Sequence, residues 1–236
     1  MSNDLKFQIS YLEKFTTDVA HELKNPLTAI RSSSELLLKQ TISEENKQKI
    51  LNNFNKEVKR MNRLISDISN FSKTISEIES ENFELIDLNK FIESFKNSYL
   101  ANSKEIKLFI DKENIQLNFL LNKDKLVQVI LNIIENSVSL AKRGTKILIK
   151  SEKIYEYFVS LKIYDQGPGI NIKDKDKIFE RFYTDRDSDR ENHSGLGLSI
   201  SKEIIRSFGG SIELTKSDNL DFSGACFIIK LPLRIS

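Results

Sequence analysis

The chain has two histidines, and His21 stands in the run Phe15-Thr16-Thr17-Asp18-Val19-Ala20-His21-Glu22-Leu23-Lys24-Asn25-Pro26-Leu27. A neutral imidazole on a helix surface is a competent nucleophile near pH 7. A neighbouring carboxylate such as Glu22 can hold one ring nitrogen so that the other attacks. Pro26 lacks the N–H that would bond the Glu22 carbonyl, so the helix is expected to loosen or bend beside the reactive group. Taken alone, the pattern favours a surface histidine with an incidental kink.

A second set of residues suits an anionic ligand. In Asn132-Ile133-Ile134-Glu135-Asn136 the two amides are four residues apart, hence on one face of a helix. Asn136 offers a neutral oxygen of the kind that completes a Mg²⁺ shell otherwise made of phosphate oxygens and water. Buried amides need partners, which makes an idle amide pair on so apolar a helix the weaker reading. Asp165 precedes Gln166-Gly167-Pro168-Gly169 and by itself reads as a turn aspartate. Gly195 and Gly197 flank Leu196 where a helix opens, and bare backbone N–H groups there suit phosphate, although a lone Gly-Leu-Gly is weak evidence. The run Asp185-Arg186-Asp187-Ser188-Asp189-Arg190-Glu191 reads as a solvated lid, and His193 as a lid residue.

Two kinds of element must position these residues. The first eighty residues contain one proline, Pro26, and no glycine. Their apolar residues recur at threes and fours: Leu12, Phe15, Val19, Leu23, Leu27, Ile30 and Leu37, then Ile50, Phe54, Val58, Met61, Ile65, Ile68 and Ile75. The stretch from Lys39 to Glu44 interrupts the pattern, with Ser43 as N-cap and Glu44 and Glu45 suiting the first turn of a second helix. A lone hairpin leaves part of its apolar surface bare, so pairing with a second copy into a four-helix bundle is expected. After Ser80 the spacing predicts a short extended piece at 83–88 and helices at 89–100, 124–141 and 196–208. Strands are predicted at 107–110, 115–121, 146–151, 157–164, 212–214 and 225–231. That order suggests an α/β two-layer sandwich. The irregular stretch Asp165–Ser194 is too long for a mere connector and suits a lid.

Composition narrows the class. The 36 basic and 34 acidic residues nearly cancel, which argues against a protein that coats nucleic acid or an anionic membrane. A lone Cys226 excludes an internal disulfide and a cysteine cluster for zinc, and fits a reducing cytosol. The longest apolar runs, such as Leu36-Leu37-Leu38, fall far short of the roughly 20 residues of a membrane helix.

The string HELKNPLTAI resembles the H-box of bacterial sensor histidine kinases, and further motifs follow in family order. Asn132 to Asn136 looks like the N-box and Asp165-Gln166-Gly167-Pro168-Gly169-Ile170 like the first glycine box. Ile178-Phe179-Glu180-Arg181-Phe182 looks like the F-box and Ser194-Gly195-Leu196-Gly197-Leu198 like the second glycine box. The resemblance runs from about Phe15 to the C-terminus. It implies an α+β multidomain chain, with a helical hairpin at 1–80 that forms a dimeric four-helix bundle and a GHKL-type ATP-binding sandwich at 81–236. It also implies His21 as phosphoacceptor, Glu22 as general base and Asn25 as the residue that positions water in dephosphorylation. Asn132, Asn136, Asp165, Gly167, Gly169, Gly195, Leu196 and Gly197 would bind ATP, with Asn136 on Mg²⁺ and Asp165 accepting from the adenine amino group. Phe179 and Phe182 would help the lid dock on the hairpin. The implied partners are a second copy and a response-regulator receiver domain, docking near Ala29, Ser32, Ser33 and Leu36. The implied setting is the cytosolic portion of a membrane sensor.

The sequence also departs from the pattern. Ser139 and Leu140 stand where many relatives have a basic residue and an aromatic, with Lys142 or Arg143 as possible substitutes, and His193 stands where an extra glycine is usual. Gyrase, MutL and Hsp90-type ATPases share the nucleotide fold, but they need a carboxylate four residues before the magnesium asparagine, and here that residue is Asn132. This argues against hydrolysis as the main activity. A phosphatase-dominated protein and a non-catalytic dimeric scaffold are the remaining alternatives.

Overall fold

The computed structural model describes residues 3–38, 42–78, 83–102, 106–113, 117–140, 144–155, 157–169, 175–184 and 194–233. The Lys39–Thr41 break, Lys142, Arg143, Ile170, the charged run 185–191 and His193 lie outside them. Contacts divide the chain into two units. One comprises Met1–Thr74 with Glu180–Leu196, the other Ile75–Phe179 with Gly197–Ser236. Among the described residues no helix is long and apolar enough to cross a membrane.

The first unit is built on two long helices, α1 (Asn3–Leu37) and α2 (Glu44–Ile78), of 35 residues each. Ser43 caps α2, its hydroxyl accepting from the Asn46 N–H at 3.4 Å, and Glu44 and Glu45 occupy the first turn. Helix α1 runs through Pro26, which is buried. The second apolar stripe needs a correction of phase. Leu64, at 3% exposure, faces inward while Ile65 is 49% exposed, and Phe71, absent from the expected stripe, is 2% exposed. Leu64 and Phe71 are seven residues apart and share one face, so the inward seam is centred one position away from Ile65, while Phe54, Val58, Met61, Ile68 and Ile75 flank it half-buried. Leu12 and Leu27 remain mostly exposed on α1.

The second unit is a sheet covered by helices. Strand β1 (Glu84–Asp87) pairs antiparallel with β3 (Asn118–Leu121). Strands β2 (Lys107–Lys112), β4 (Lys146–Ile154), β5 (Phe158–Tyr164), β6 (Ser211–Lys216) and β7 (Ala225–Pro232) form a sheet of order β2-β4-β5-β7-β6. Only the β2–β4 pair is parallel. Helices α3 (Leu88–Asn102), α4 (Lys123–Leu140) and α5 (Gly197–Ser207) complete the two layers. Asn122 caps α4 through its side-chain oxygen, 3.1 Å from the Lys125 N–H. Successive side chains point to opposite faces of the sheet, and Leu148, Tyr164, Phe222 and Cys226 form a small buried cluster on the face away from the main core. Ile147, Ile149, Val159, Leu161, Ile163, Phe227, Ile229 and Leu231 are buried together with Leu126, Ile130 and Ile133 of α4 and Ile204 of α5. The stretch expected to be wholly irregular contains a short 3-10 helix, Lys175–Phe179.

The opposite sheet face carries a polar ladder. Lys150 and Lys162 are directly opposed across β4 and β5, a repulsive arrangement. Glu152 relieves it by pairing with both, with Lys150 at 3.3 Å. Burial pushes the Glu152 carboxyl up, but hydrogen bonds from Lys162 and Lys150 outweigh it and hold the group below the ordinary carboxylate value. A depressed folded-state value contributes stability above the unfolded value, and that contribution disappears as pH falls through the folded one. Glu152→Gln is therefore expected to cost on the order of 1 kcal/mol at neutral pH in urea unfolding, the difference from the parent shrinking below about pH 4.

Candidate functional site

In the hairpin unit His21 and Asn25 are exposed on α1, as the helix phase requires. Glu22, one position on, turns partly inward. Its Oε2 accepts from the Arg60 guanidinium of α2 at 3.3 Å, so it meets a cation across the hairpin rather than the expected imidazole. Arg60 also faces Glu57 at 3.8 Å, which places one arginine between two carboxylates. Gly195 and Leu196 belong to this same unit. Gly195 has φ +74°, and a Cβ there would lie 2.6 Å from the Phe182 carbonyl carbon and 2.7 Å from the Tyr183 oxygen. Its carbonyl accepts from the Phe182 N–H at 3.0 Å, so glycine is demanded by close backbone approach. Leu196 is buried, and its N–H donates to the Ser194 hydroxyl at 3.4 Å.

The second unit brings together the remaining nucleotide-site candidates. Asp165, 4% exposed, follows the last residue of β5. Its Oδ1 accepts from the backbone N–H groups of Gly167 at 2.8 Å and Ala225 at 2.9 Å, and its Oδ2 from the Ser137 hydroxyl of α4 at 3.0 Å. A buried carboxylate persists only when its oxygens are satisfied in this manner, which fixes its direction. The turn after it is pinned on both sides. Gln166 accepts from the Lys146 N–H at 3.1 Å and donates to the Asp221 carbonyl at 2.7 Å. Gly169 has φ +73°, which suits glycine alone without strain.

Asn132 and Asn136 share a face of α4, but their surroundings differ. The Asn132 amide donates to the Gly197 carbonyl at 2.9 Å and to the Ser201 hydroxyl at 3.2 Å, stitching α4 to the first turn of α5. A Cβ at Gly197 would meet the Asn132 side chain at 3.5 Å, an ordinary van der Waals contact, so this approach does not by itself demand glycine. Asn136 is half-buried, and its carbonyl accepts from the Ser139 hydroxyl at 2.8 Å. Ser139, which stands where many relatives have a basic residue, thus bonds its own helix. Phe179 also needs correction. It is buried against Phe227 of β7, with ring centroids 6.4 Å apart, and beneath the Lys202 ammonium of α5, so it is a core residue of this unit rather than a docking residue for the hairpin.

Three residues of these arrangements escaped the sequence reading. Ser137 carried a faint signal as a small polar residue inside an apolar helix next to Asn136. Gly224 carried none. A Cβ there would fall 2.0 Å from Asp165 Oδ1 and 2.6 Å from the Gly167 nitrogen, so the cage closes only around a glycine. Arg60 looked like any helix-surface cation.

Two family models match the chain. That for the His Kinase A (phospho-acceptor) domain covers residues 11–77, and that for the histidine kinase-, DNA gyrase B- and HSP90-like ATPases covers residues 121–235. Sensor protein ChvG of Rhizobium meliloti (strain 1021) is 34% identical over 98% of the chain, and sensor protein kinase WalK of Staphylococcus aureus is 34% identical over 94%. The chain spans 42% and 54% of the lengths of these relatives. Among solved structures, histidine kinase ThkA in complex with response regulator protein TrrA superposes with a TM-score of 0.62 at 25% identity, covering 97% of this chain and 64% of that one. The isolated catalytic domain of ThkA gives 0.54 at 27% identity over 64% of this chain and 97% of its own. With a phospho-acceptor hairpin bearing an exposed His21 and an ATPase fold built around Asp165 in one polypeptide, the chain belongs to the sensor histidine kinases of two-component systems.

Proposed function

We propose that this chain transfers the γ-phosphoryl group of ATP to His21 and passes it on to an aspartate of a response-regulator receiver domain. The observation that carries this reading is the exposed His21 next to Glu22 on the helix matched by the phospho-acceptor family. In the transfer a ring nitrogen of His21 forms the N–P bond as the bond from phosphorus to the bridging β–γ oxygen breaks and ADP leaves. Glu22 takes the imidazole proton, and Arg60 holds that carboxylate in place between turnovers. Positioning and charge neutralisation account for most of the acceleration in such displacements.

On the nucleotide side Asp165 receives the adenine amino group on the lone pairs its three donors leave over. Gly167 and Gly169 let the base approach the turn. Asn132 holds the start of α5 at Gly197, where the positive end of the helix suits phosphate, and Gly195 and Leu196 lead into that start. Mg²⁺ bound at Asn136 would neutralise charge on the phosphates. The donor set fits such an ion. Asn136 is half-buried on the α4 face that it shares with Asn132, and its amide oxygen is a neutral donor of the kind that joins phosphate oxygens and water around magnesium. A second copy of the chain would cover exposed Leu12 and Leu27 in a four-helix bundle. The receiver domain is supported by the response regulator in the ThkA complex, and it would dock near Ala29, Ser32, Ser33 and Leu36. The cytoplasm supplies ATP and keeps the buried Cys226 thiol reduced.

Incubation with Mg-ATP followed by mass spectrometry is expected to find an acid-labile phosphate on His21, absent from His21→Gln. Label elsewhere, or ATP turnover without phosphoprotein, would overturn the reading in favour of a plain ATPase. Asn25 is exposed near His21 and supports a second activity, water-dependent removal of phosphate from the receiver. Asn25→Ala is accordingly expected to slow receiver dephosphorylation by about 10-fold or more while His21 still accepts label. Within the nucleotide unit, Ser137→Ala should weaken binding of a fluorescent ATP analogue by about 10-fold, the equivalent of one lost hydrogen bond to a buried charge. Gly224→Ala should abolish that binding, because the Asp165 cage has no room for a methyl group.

A further inference from the structure

Arg181 has no role in the reaction as described so far. Its guanidinium lies 5.4 Å from the ring centroid of Phe15 on α1 and 5.7 Å from that of Phe71 on α2. The two rings stack on each other at 4.8 Å, and Phe71 is among the most buried side chains of the hairpin. One guanidinium nitrogen sits 3.8 Å from the Asp18 carboxylate, and the Arg181 side chain retains only 11% of its exposure. A cation this far removed from water is held in place by the two rings and the carboxylate. Asp18 precedes His21 by three residues, so the two side chains are neighbours on the surface of α1.

The backbone around Arg181 is equally constrained. Phe182 adopts φ +60°, unusual for an aromatic residue, and its N–H bonds the Gly195 carbonyl at 3.0 Å. Gly195 in turn fits against Phe182 and Tyr183 only because it lacks a Cβ. The two ends of the segment Glu180–Leu196 are thereby fastened together, and Arg181 seats that fastening on the phosphoacceptor helix. The segment continues at both ends into the polypeptide of the ATP-binding unit, at Phe179 and at Gly197.

We propose that Arg181 is a positioning residue for phosphorylation of His21, acting through Asp18 and the Phe15–Phe71 pair to seat residues 180–184, with Gly195 bonded to them, on α1 one turn before the phosphoacceptor. The inference rests on the kinase reading above and adds to it a determinant of transfer that touches neither ATP nor the imidazole. A group that only orients a reacting pair affects the rate of the chemical step and leaves nucleotide affinity alone.

The test compares the intact chain with Arg181→Ala, Arg181→Lys, Asp18→Arg and the double exchange Asp18→Arg/Arg181→Asp. The readouts are affinity for a fluorescent ATP analogue, the single-turnover rate of His21 labelling at saturating ATP, and thermal melting. Arg181→Ala is expected to slow labelling by about 10-fold or more while nucleotide affinity stays within about twofold. Arg181→Lys should fall short of the parent, because a point charge lacks the planar face that lies over Phe15 and Phe71. The double exchange should label faster than either Asp18→Arg or Arg181→Ala, which a purely structural loss measured by melting would not produce. Labelling within about twofold of the parent in Arg181→Ala, or a fall in nucleotide affinity equal to the fall in rate, would sink the inference. Absence of His21 labelling in the unaltered chain would instead remove the kinase reading and this inference with it.

Discussion

The nucleotide-binding unit is organised around one buried carboxylate. Leaving Asp165 unsatisfied would cost several kcal/mol, and its three donors come from three separate parts of the chain. Gly167 supplies the turn after β5, Ala225 the first residue of β7, and Ser137 the third layer of contact, from α4. Satisfying all three at once fixes the end of β5 against the start of β7 and locks the axial position of α4. Gly224 makes that closure sterically allowed. Asn132, one turn and a half before Ser137 on the same helix, then ties α4 to α5. A chain of four polar side chains thus connects the sheet to both helices that flank the candidate nucleotide site.

The hairpin unit is held by a different balance. Its helices pack through an apolar seam in which Leu64 and Phe71 are deeply buried while other apolar residues stay half-exposed. Polar side chains on the same helices do more specific work. Arg60 spans from Glu57 to Glu22 and so sets the orientation of the acid next to His21. The aromatic pair Phe15 and Phe71 provides a flat, apolar platform, and Arg181 pairs with Asp18 beside it.

The division of chemistry between the units follows from what each can build. A two-helix surface can expose an imidazole to a large co-substrate and to a partner protein, but it has no concavity deep enough to strip water from a nucleotide. A sheet with a helix layer can hold a buried carboxylate and glycine turns where a base and phosphates approach backbone closely. Ser139 bonds its own helix through the Asn136 carbonyl, and none of the Asp165 contacts depends on it.

Much of this protein was determined by its sequence alone. The hairpin, the Ser43 cap, the α-helices and strands of the second unit to within a few residues, and the outward phase of His21 all follow from short-range rules: 3.6-residue and two-residue periodicity, capping and turn chemistry. The common helix face of Asn132 and Asn136 followed in the same way. Tertiary structure alone decided the partners. Glu22 meets Arg60 across 38 residues and Asp165 meets Ala225 across 60, and no local pattern marks either pair. Ile65 and Leu64 are adjacent and equally apolar, so only the geometry of the facing helix chose between them. Phe179, read as a docking residue, became core because β7 presents Phe227 to it. Periodicity states which face a residue occupies, whereas the identity of what lies opposite depends on how distant segments close around one another, and that was settled by packing and by the need to satisfy buried charge.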